Sequence, residues 1–186
     1  PVHSHYPLAR AALEADKHVL IEKPITSDAC QAAELVKLAD DRGLTLMVGH
    51  TFEYNPAVEA VQRIIASGEL GEIYYINGTR VNLGLFQPDT NVVWDLAPHD
   101  ISILNYLLGS QPVAASARGE VYIRAETLLY EVAYVTLHYP NRVLADLRVS
   151  WLDPVKIRRI TIVGSQKMLV YDDIADNKVI LYDKGA

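Results

Sequence analysis

Two clusters of residues in this chain have the types and spacing to do chemistry. The first is Glu22-Lys23-Pro24, which follows the short β-prone run His18-Val19-Leu20-Ile21. If that run is a parallel strand, Lys23 stands at its carboxyl end, the edge at which open α/β sheets bind ligands. An ammonium group there can reach a substrate oxygen or a cofactor. The alternative is a solvated surface lysine, the ordinary state of that residue, in a tripeptide that recurs by chance. The second cluster is Trp94-Asp95-Leu96-Ala97-Pro98-His99-Asp100. Asp95 and His99 are four residues apart, so on a helix their side chains can meet. A carboxylate beside an imidazole orients the ring and raises its basicity, which is what a general base needs to take a proton from an alcohol. Two other readings stand beside this one. Asp95 can simply cap a helix while His99 is a packed or exposed histidine, or the pair can chelate a metal, although no further clustered ligands accompany it.

The elements that must position these clusters can be read from periodicity and punctuation. Residues 7–16 read as a helix with Pro7 in its first turn, and Val19 to Ile21 as a short strand. Thr26 or Ser27 is expected to cap a helix over 28–42, whose apolar face is Ala32, Leu35, Val36 and Ala39 and whose stop is Gly43. Leu44 to Val48 reads as a strand buried on both faces. Residues 1–48 therefore alternate α-β-α-β, the pattern of a doubly wound sheet. Two strands are too few for such a sheet to stand alone, and the chain opens on Pro1 directly before a helix. The expectation is the second half of a larger domain, in a chain that begins partway through it.

The character changes near residue 50. Asn55-Pro56 starts a helix carrying Val58, Val61, Ile64 and Ile65, closed by Gly68. Residues 72–84 alternate like a strand through Ile73, Tyr75, Asn77, Thr79 and Val81. A loop over 84–92 leads into a helix that ends at Gly109, with Asp95 as its expected N-cap and Pro98 in its first turn, where a missing N–H costs nothing. Strands are expected at 113–124, 128–139, 142–151, 156–163, 167–172 and 178–182, with turns at Tyr139-Pro140-Asn141 and Asp176-Asn177. Strands in series point to an antiparallel or mixed sheet. The fold class is thus α/β plus α+β: residues 1–49 as the C-terminal part of a Rossmann-like doubly wound domain, and 50–186 as an α+β domain with a large, mostly antiparallel sheet.

Composition narrows the function classes. Half of the 186 residues are apolar and 22% are charged, which fits a globular chain with a real core rather than a disordered one. The net charge of −6, with Lys and Arg scattered, argues against a nucleic-acid partner. No apolar run approaches ~18 residues, so no membrane span is expected, and no signal-peptide pattern opens the chain. Cys30 is the single cysteine, which excludes an internal disulfide and is compatible with a reducing, cytoplasmic setting. Among alanines in a helix, it is expected to be a small buried side chain. Trp94 and Trp151 can stack on a sugar, but tryptophans at such places are more often core.

Taken together, four stretches in order resemble the Gfo/Idh/MocA family of NAD(P)-dependent sugar and cyclitol oxidoreductases. Pro1-Val2-His3-Ser4-His5 resembles the loop that faces the nicotinamide side of the cofactor. Ala12 to Pro24, with Lys17-His18-Val19 and Glu22-Lys23-Pro24, resembles the family's most recognisable motif. Residues 48–71, with Val48-Gly49-His50, Asn55-Pro56 and Gly68-Glu69-Leu70-Gly71, resemble the hinge into its C-terminal domain. Asp95, His99 and Asp100, with the helix to Gly109, resemble its second catalytic motif.

The resemblance implies catalytic roles for Lys23, Asp95 and His99. His99 takes the hydroxyl proton as hydride leaves the carbon for C4 of nicotinamide, Lys23 binds the reacting oxygen, and Asp95 orients or assists. It implies that Pro1, His3, His5, Glu22, Lys23 and Pro24 lie along the cofactor, NAD or NADP, and that a cis Lys23–Pro24 bond is an option. Lys23, His50, Tyr54, Asp95, His99 and the loop from Gly84 to Val93 fall where the substrate pocket is assembled. The stretch from Trp94 to Ile101 is similar to members acting on nucleotide sugars, so a sugar or nucleotide-sugar 3-hydroxyl is the expected substrate group. A homodimer or homotetramer through the C-terminal sheet is also implied. One departure matters: no G-x-G-x-x-G occurs in these residues, so the 186-residue chain by itself is expected to bind NAD(P) weakly or not at all. The competing expectation is a non-catalytic oligomerisation or sugar-binding module. A metal-dependent hydrolase built on His3, His5, Asp95 and His99 is a weaker third.

Overall fold

The computed structural model describes residues 1–84 and 86–185. Leu85, inside the expected loop, and Ala186, the end of the expected second domain, lie outside the described residues. The chain divides into two compact units. One comprises Pro1–Thr51 with Gln87–Thr90, the other Phe52–Phe86 with Asn91–Ala186.

In the first unit a single 3-10 turn, Val2–Ser4, leads into α1 (His5–Glu14), β1 (Val19–Ile21), α2 (Ala29–Asp41) and β2 (Leu46–Val48). Pro7 sits in the first turn of α1, where backbone N–H groups have no intrahelical partner. The cap of α2 is Asp28, not Thr26 or Ser27: its carboxylate accepts from the Gln31 N–H at 3.0 Å. The Thr26 hydroxyl instead donates to the Asp28 carbonyl, which holds the turn entering the helix. β1 and β2 pair in parallel, Val19 with Leu46 and Ile21 with Val48. Ala9, Leu13, Ile21, Leu35 and Ala39 form the core between this sheet and the two helices. Alternation along the strands puts Leu20 and Met47 on the other face, 74% and 41% exposed. The expectation that residues 44–48 are buried on both faces therefore fails for this unit, because its helices cover one face. Cys30 is exposed rather than buried. It lies on the turn of α2 pointing away from Leu35 and Ala39.

The second unit opens with α3 (Pro56–Ala66), whose Asn55 cap accepts from the Ala57 N–H at 2.9 Å. Next come β3 (Ile73–Leu83), α4 (Val92–Leu108), β4 (Ala114–Glu120), β5 (Val132–His138), β6 (Leu144–Ser150), β7 (Leu152–Gly164), β8 (Lys167–Asp172) and β9 (Val179–Asp183). The seven strands make one sheet in the order β4-β5-β6-β3-β7-β8-β9. Every pairing is antiparallel except β3 with β6. Val58 and Val61 of α3 and Ile103, Leu104 and Leu107 of α4 pack on Ile76, Leu147, Ile160, Ile162 and Leu169.

Two details correct the reading of this unit. A register shift between Ile73 and Tyr75 changes the phase of β3, so Ile76, Gly78 and Arg80 face the core and Tyr75 and Asn77 face out. The cap of α4 is Asn91, whose side chain accepts from the Val93 and Trp94 N–H groups at 3.0 and 3.2 Å. Asp95 is therefore inside the helix. Pro98 is one turn further in, where it cannot donate to the Trp94 carbonyl. Gly109 ends α4 in the left-handed region at φ 60°. No helix among the described residues is long and apolar enough to cross a membrane.

Candidate active site

The first unit gathers its chemistry at the carboxyl edge of its two strands. The chain leaves β1 through Glu22, Lys23 and Pro24, and the Lys23–Pro24 peptide is cis. The His5 ring Nδ1 lies 2.8 Å from the Pro24 carbonyl oxygen, which ties the start of α1 to the turn after Lys23. On the neighbouring strand end, the Gly49 N–H donates to the Ile21 carbonyl at 2.8 Å. A β-carbon at Gly49 would stand 3.4 Å from Glu22 Oε1, so the glycine leaves the space over that carboxylate open. Beyond it, His50 is half-buried, and its Nδ1 is buried with no hydrogen-bond partner among the described residues. His3 Nδ1 is 3.4 Å from Asp89 Oδ2, and Gln87–Thr90 belongs to this unit although it lies between β3 and α4 in sequence. Pro1 is exposed, its carbonyl accepting from the Ser4 N–H and hydroxyl. Thus His3, His5, Glu22, Lys23, Pro24 and His50 all belong to one unit, five of them at or beside a strand's carboxyl end, the position at which doubly wound sheets hold nucleotides.

The second unit carries Asp95 and His99 one turn apart on α4. Asp95 Oδ2 accepts the Trp151 indole N–H at 3.0 Å. The His99 ring meets Phe52 edge-on, with centroids 5.1 Å apart at 70°. Over the same Phe52 ring lies the Arg80 guanidinium, 4.6 Å from the centroid. Arg80 is locked in turn by Asp100. Its Nε is 3.1 Å from both carboxylate oxygens and its Nη2 2.7 Å from Oδ1, with both side chains 4% exposed. Burial pushes the Asp100 carboxyl up from its ordinary value, and the Arg80 charge and hydrogen bonds pull back part of that rise. Tyr54, by contrast, is 66% exposed in the 3-10 turn Thr51–Tyr54. Trp94 is exposed and Trp151 is 1% exposed core.

Sequence reading missed three supports of this helix: the Arg80–Asp100 pair, the Phe52 contact and the Trp151–Asp95 bond. A charged residue inside a strand run, Gly78-Thr79-Arg80-Val81, was the one available signal. A buried arginine needs a buried carboxylate, and Asp100 lay within the motif. The other two contacts join residues 47 and 56 positions apart and leave no local trace.

The residues at the strand edges fit the nicotinamide and ribose end of a dinucleotide. There is an open approach at Gly49, a carboxylate in Glu22, a ring nitrogen of His50 without a partner among the described residues, and an ammonium group in Lys23. A glycine-rich pyrophosphate loop is not among them.

Comparison with known proteins agrees with this division. Residues 1–50 match the oxidoreductase family's NAD-binding Rossmann fold, and residues 58–170 match the GFO/IDH/MocA C-terminal domain. The UDP-N-acetylglucosamine 3-dehydrogenase of Acidithiobacillus ferrooxidans is 30% identical over 100% of the chain and 57% of its own length. A solved oxidoreductase from Magnetospirillum magnetotacticum superposes with a TM-score of 0.85 at 31% identity, over 100% of this chain and 60% of that one. An inositol dehydrogenase homologue from Azotobacter vinelandii, solved with NADH and myo-inositol, shares the fold at a TM-score of 0.91 and 21% identity, over 100% of this chain and 52% of that one. The chain thus spans about half the length of the relatives it matches. Each matched segment covers most of one unit, and the chain belongs to the GFO/IDH/MocA oxidoreductase family.

Proposed function

We propose that the protein is an NAD(P)-dependent dehydrogenase acting on a secondary alcohol of a sugar, nucleotide sugar or cyclitol. The observation that carries this reading is the position of Lys23 at a strand's carboxyl edge and of Asp95 and His99 one turn apart on α4, in a chain whose two units both match an oxidoreductase family. In this reading His99 takes the hydroxyl proton, Lys23 binds the reacting oxygen as it becomes a carbonyl, and Asp95 orients the alcohol or the imidazole. Pro1, His3, His5, Glu22 and Pro24 line the cofactor, and His50 and Tyr54 the substrate. The bound nicotinamide supplies the hydride acceptor or donor. A nucleotide-sugar 3-hydroxyl is the favoured substrate group, because a relative that matches the whole chain is named a UDP-N-acetylglucosamine 3-dehydrogenase.

Residues 1–49 serve as the nucleotide-binding part and 50–186 as the part for substrate binding and self-association. The assembly is a homodimer or homotetramer through the sheet. Supporting it is the outward face of the sheet, which exposes Tyr75 and Tyr134 and carries a groove of about 720 Å³ lined by Tyr134, Arg118, Asp146 and Arg148. The site of action is the cytoplasm. The test is nicotinamide reduction by the full-length protein offered UDP-N-acetylglucosamine, free hexoses and myo-inositol in turn. Turnover of a nucleotide sugar above the others is expected. Absence of nicotinamide-linked turnover with all three classes would sink the reading.

A further inference from the structure

A tryptophan with its single donor aimed at a candidate catalytic carboxylate invites two explanations. Either the carboxylate satisfies a core residue, or the core residue sets the carboxylate. Trp151 sits at the junction of β6 and β7 with 1% of its surface exposed. Its backbone is fixed on both sides: its N–H donates to the Glu131 carbonyl at 3.0 Å, and its carbonyl accepts from the Gly84 N–H at 3.2 Å. Its ring packs with Val92, Ala97, Ala133 and Val149 and meets Phe86 edge-on at 5.7 Å. The Arg124 guanidinium covers both rings, 4.5 Å from the Phe86 centroid and 5.6 Å from that of Trp151.

Arg124 is itself held by an unusual brace. Glu131 is fully buried, yet it carries a carboxylate that accepts from three consecutive backbone N–H groups, those of Tyr122, Ile123 and Arg124, at 2.8, 2.7 and 2.9 Å. The Arg124 Nε lies 3.5 Å from the same carboxylate. Burial alone would push this carboxyl up. The three N–H groups and the Arg124 side chain outweigh it and hold it below its ordinary value. A buried, ionised glutamate spent on a surface loop is costly unless every lone pair is used. Here the result is a continuous run of contacts from Glu131 through Arg124 to the indole, ending at Asp95 Oδ2.

We propose that Trp151 is a positioning residue for Asp95, fixing the orientation of that carboxylate through the indole N–H, with the Glu131–Arg124 brace fixing Trp151. The proposal rests on the reading of Asp95 as part of the dehydrogenase machinery. An indole N–H is donor-only, so it selects one rotamer of the carboxylate and leaves the ring with no role in proton transfer. The same bond from a mobile side chain would not set an angle. Trp151 has no room to turn.

The test uses the full-length protein and two readouts. The indole 1H–15N resonance of Trp151 is identified by its loss in Trp151→Phe. It is expected to shift in both Asp95→Ala and Asp95→Asn, and an unmoved resonance in both overturns the proposal whatever the enzyme does. The second readout is a double-mutant cycle on turnover, with NAD and UDP-N-acetylglucosamine as probe. Trp151→Phe keeps the ring and loses the donor. It is expected to lower kcat roughly 10-fold to 100-fold with KM little changed, and to lower it no further once Asp95 is already alanine. Losses that multiply in the double variant mean that Trp151 acts independently of Asp95, and overturn the proposal. If Asp95→Ala leaves kcat intact, the catalytic reading of Asp95 falls and the positioning role falls with it. If the unsubstituted protein does not turn the probe over, the substrate reading fails, and the resonance alone decides the contact.

Discussion

The Arg80 guanidinium meets the Asp100 carboxylate with Nε and Nη2 both engaged, one residue beyond His99, and the same guanidinium lies over the Phe52 ring that His99 meets edge-on. The imidazole is thereby flanked by a closed circuit: helix backbone from His99 to Asp100, ion pair to Arg80, cation–π contact to Phe52, and ring edge back to His99. Removing one partner leaves the other charge stranded in the core. Arg80→Met is expected to destabilise the protein by about 3–5 kcal/mol, and the joint change Arg80→Met with Asp100→Leu to restore most of it. Urea unfolding of the three proteins measures both. A single variant no less stable than the double one would show that the pair contributes nothing.

The capping of α4 makes a second prediction, because the structure moves the cap from Asp95 to Asn91. Asn91→Ala removes an acceptor for two helix N–H groups and is expected to cost about 1 kcal/mol. Asp95→Asn keeps the shape of the side chain and leaves that cap untouched, so its effect on unfolding is expected to be smaller. Thermal or urea midpoints of the two variants rank them, and the reverse order would return the cap to Asp95.

Glu131 gives the pH dependence. Its carboxyl is held below its ordinary value in the folded protein. The stabilisation is therefore fully present above the unfolded value of about 4.3. It is lost as pH falls through the lower folded value, since the unfolded chain then binds the proton more readily. Glu131→Gln is expected to lower stability at neutral pH by about 1–3 kcal/mol and to flatten the acid limb of stability against pH. Urea midpoints between neutral and acid pH check this, and an acid limb unchanged by the substitution contradicts it.

The tie between His5 and the turn after Lys23 supplies a fourth. His5→Ala removes the partner of the Pro24 carbonyl and is expected to cost about 0.5–1.5 kcal/mol of stability. His5→Asn, which keeps a donor on a shorter side chain, is expected to cost less. Equal unfolding midpoints for all three proteins would show that this bond does not hold the turn.

Much of this architecture was legible because it is local. Val19–Ile21 falls on the predicted strand, since three β-prone residues between a charged turn and Glu-Lys-Pro have few other options. The stops at Gly68 and Gly109 hold because glycine readily takes the left-handed conformation both adopt. What failed was decided at a distance. The inward face of β3 was not legible because Arg80 is polar, and only Asp100, on another element, makes its burial tolerable. Asp95 looked like a cap because it is the acid nearest the helix motif, yet Asn91 has the extended backbone that a cap requires. The residues of the candidate site were nameable from their motifs. Their supports, Phe52, Trp151 and the Glu131 brace, were not, since each joins α4 or its neighbours to a segment far along the chain.

The most direct test of the central claim is turnover of the full-length protein carrying Lys23→Ala or His99→Ala, with circular dichroism and unfolding midpoints confirming that each variant folds. The account predicts that each substitution lowers kcat at least ~100-fold, because the first removes the group that binds the reacting oxygen and the second the base that takes its proton. Turnover unchanged in folded Lys23→Ala and His99→Ala protein would contradict it.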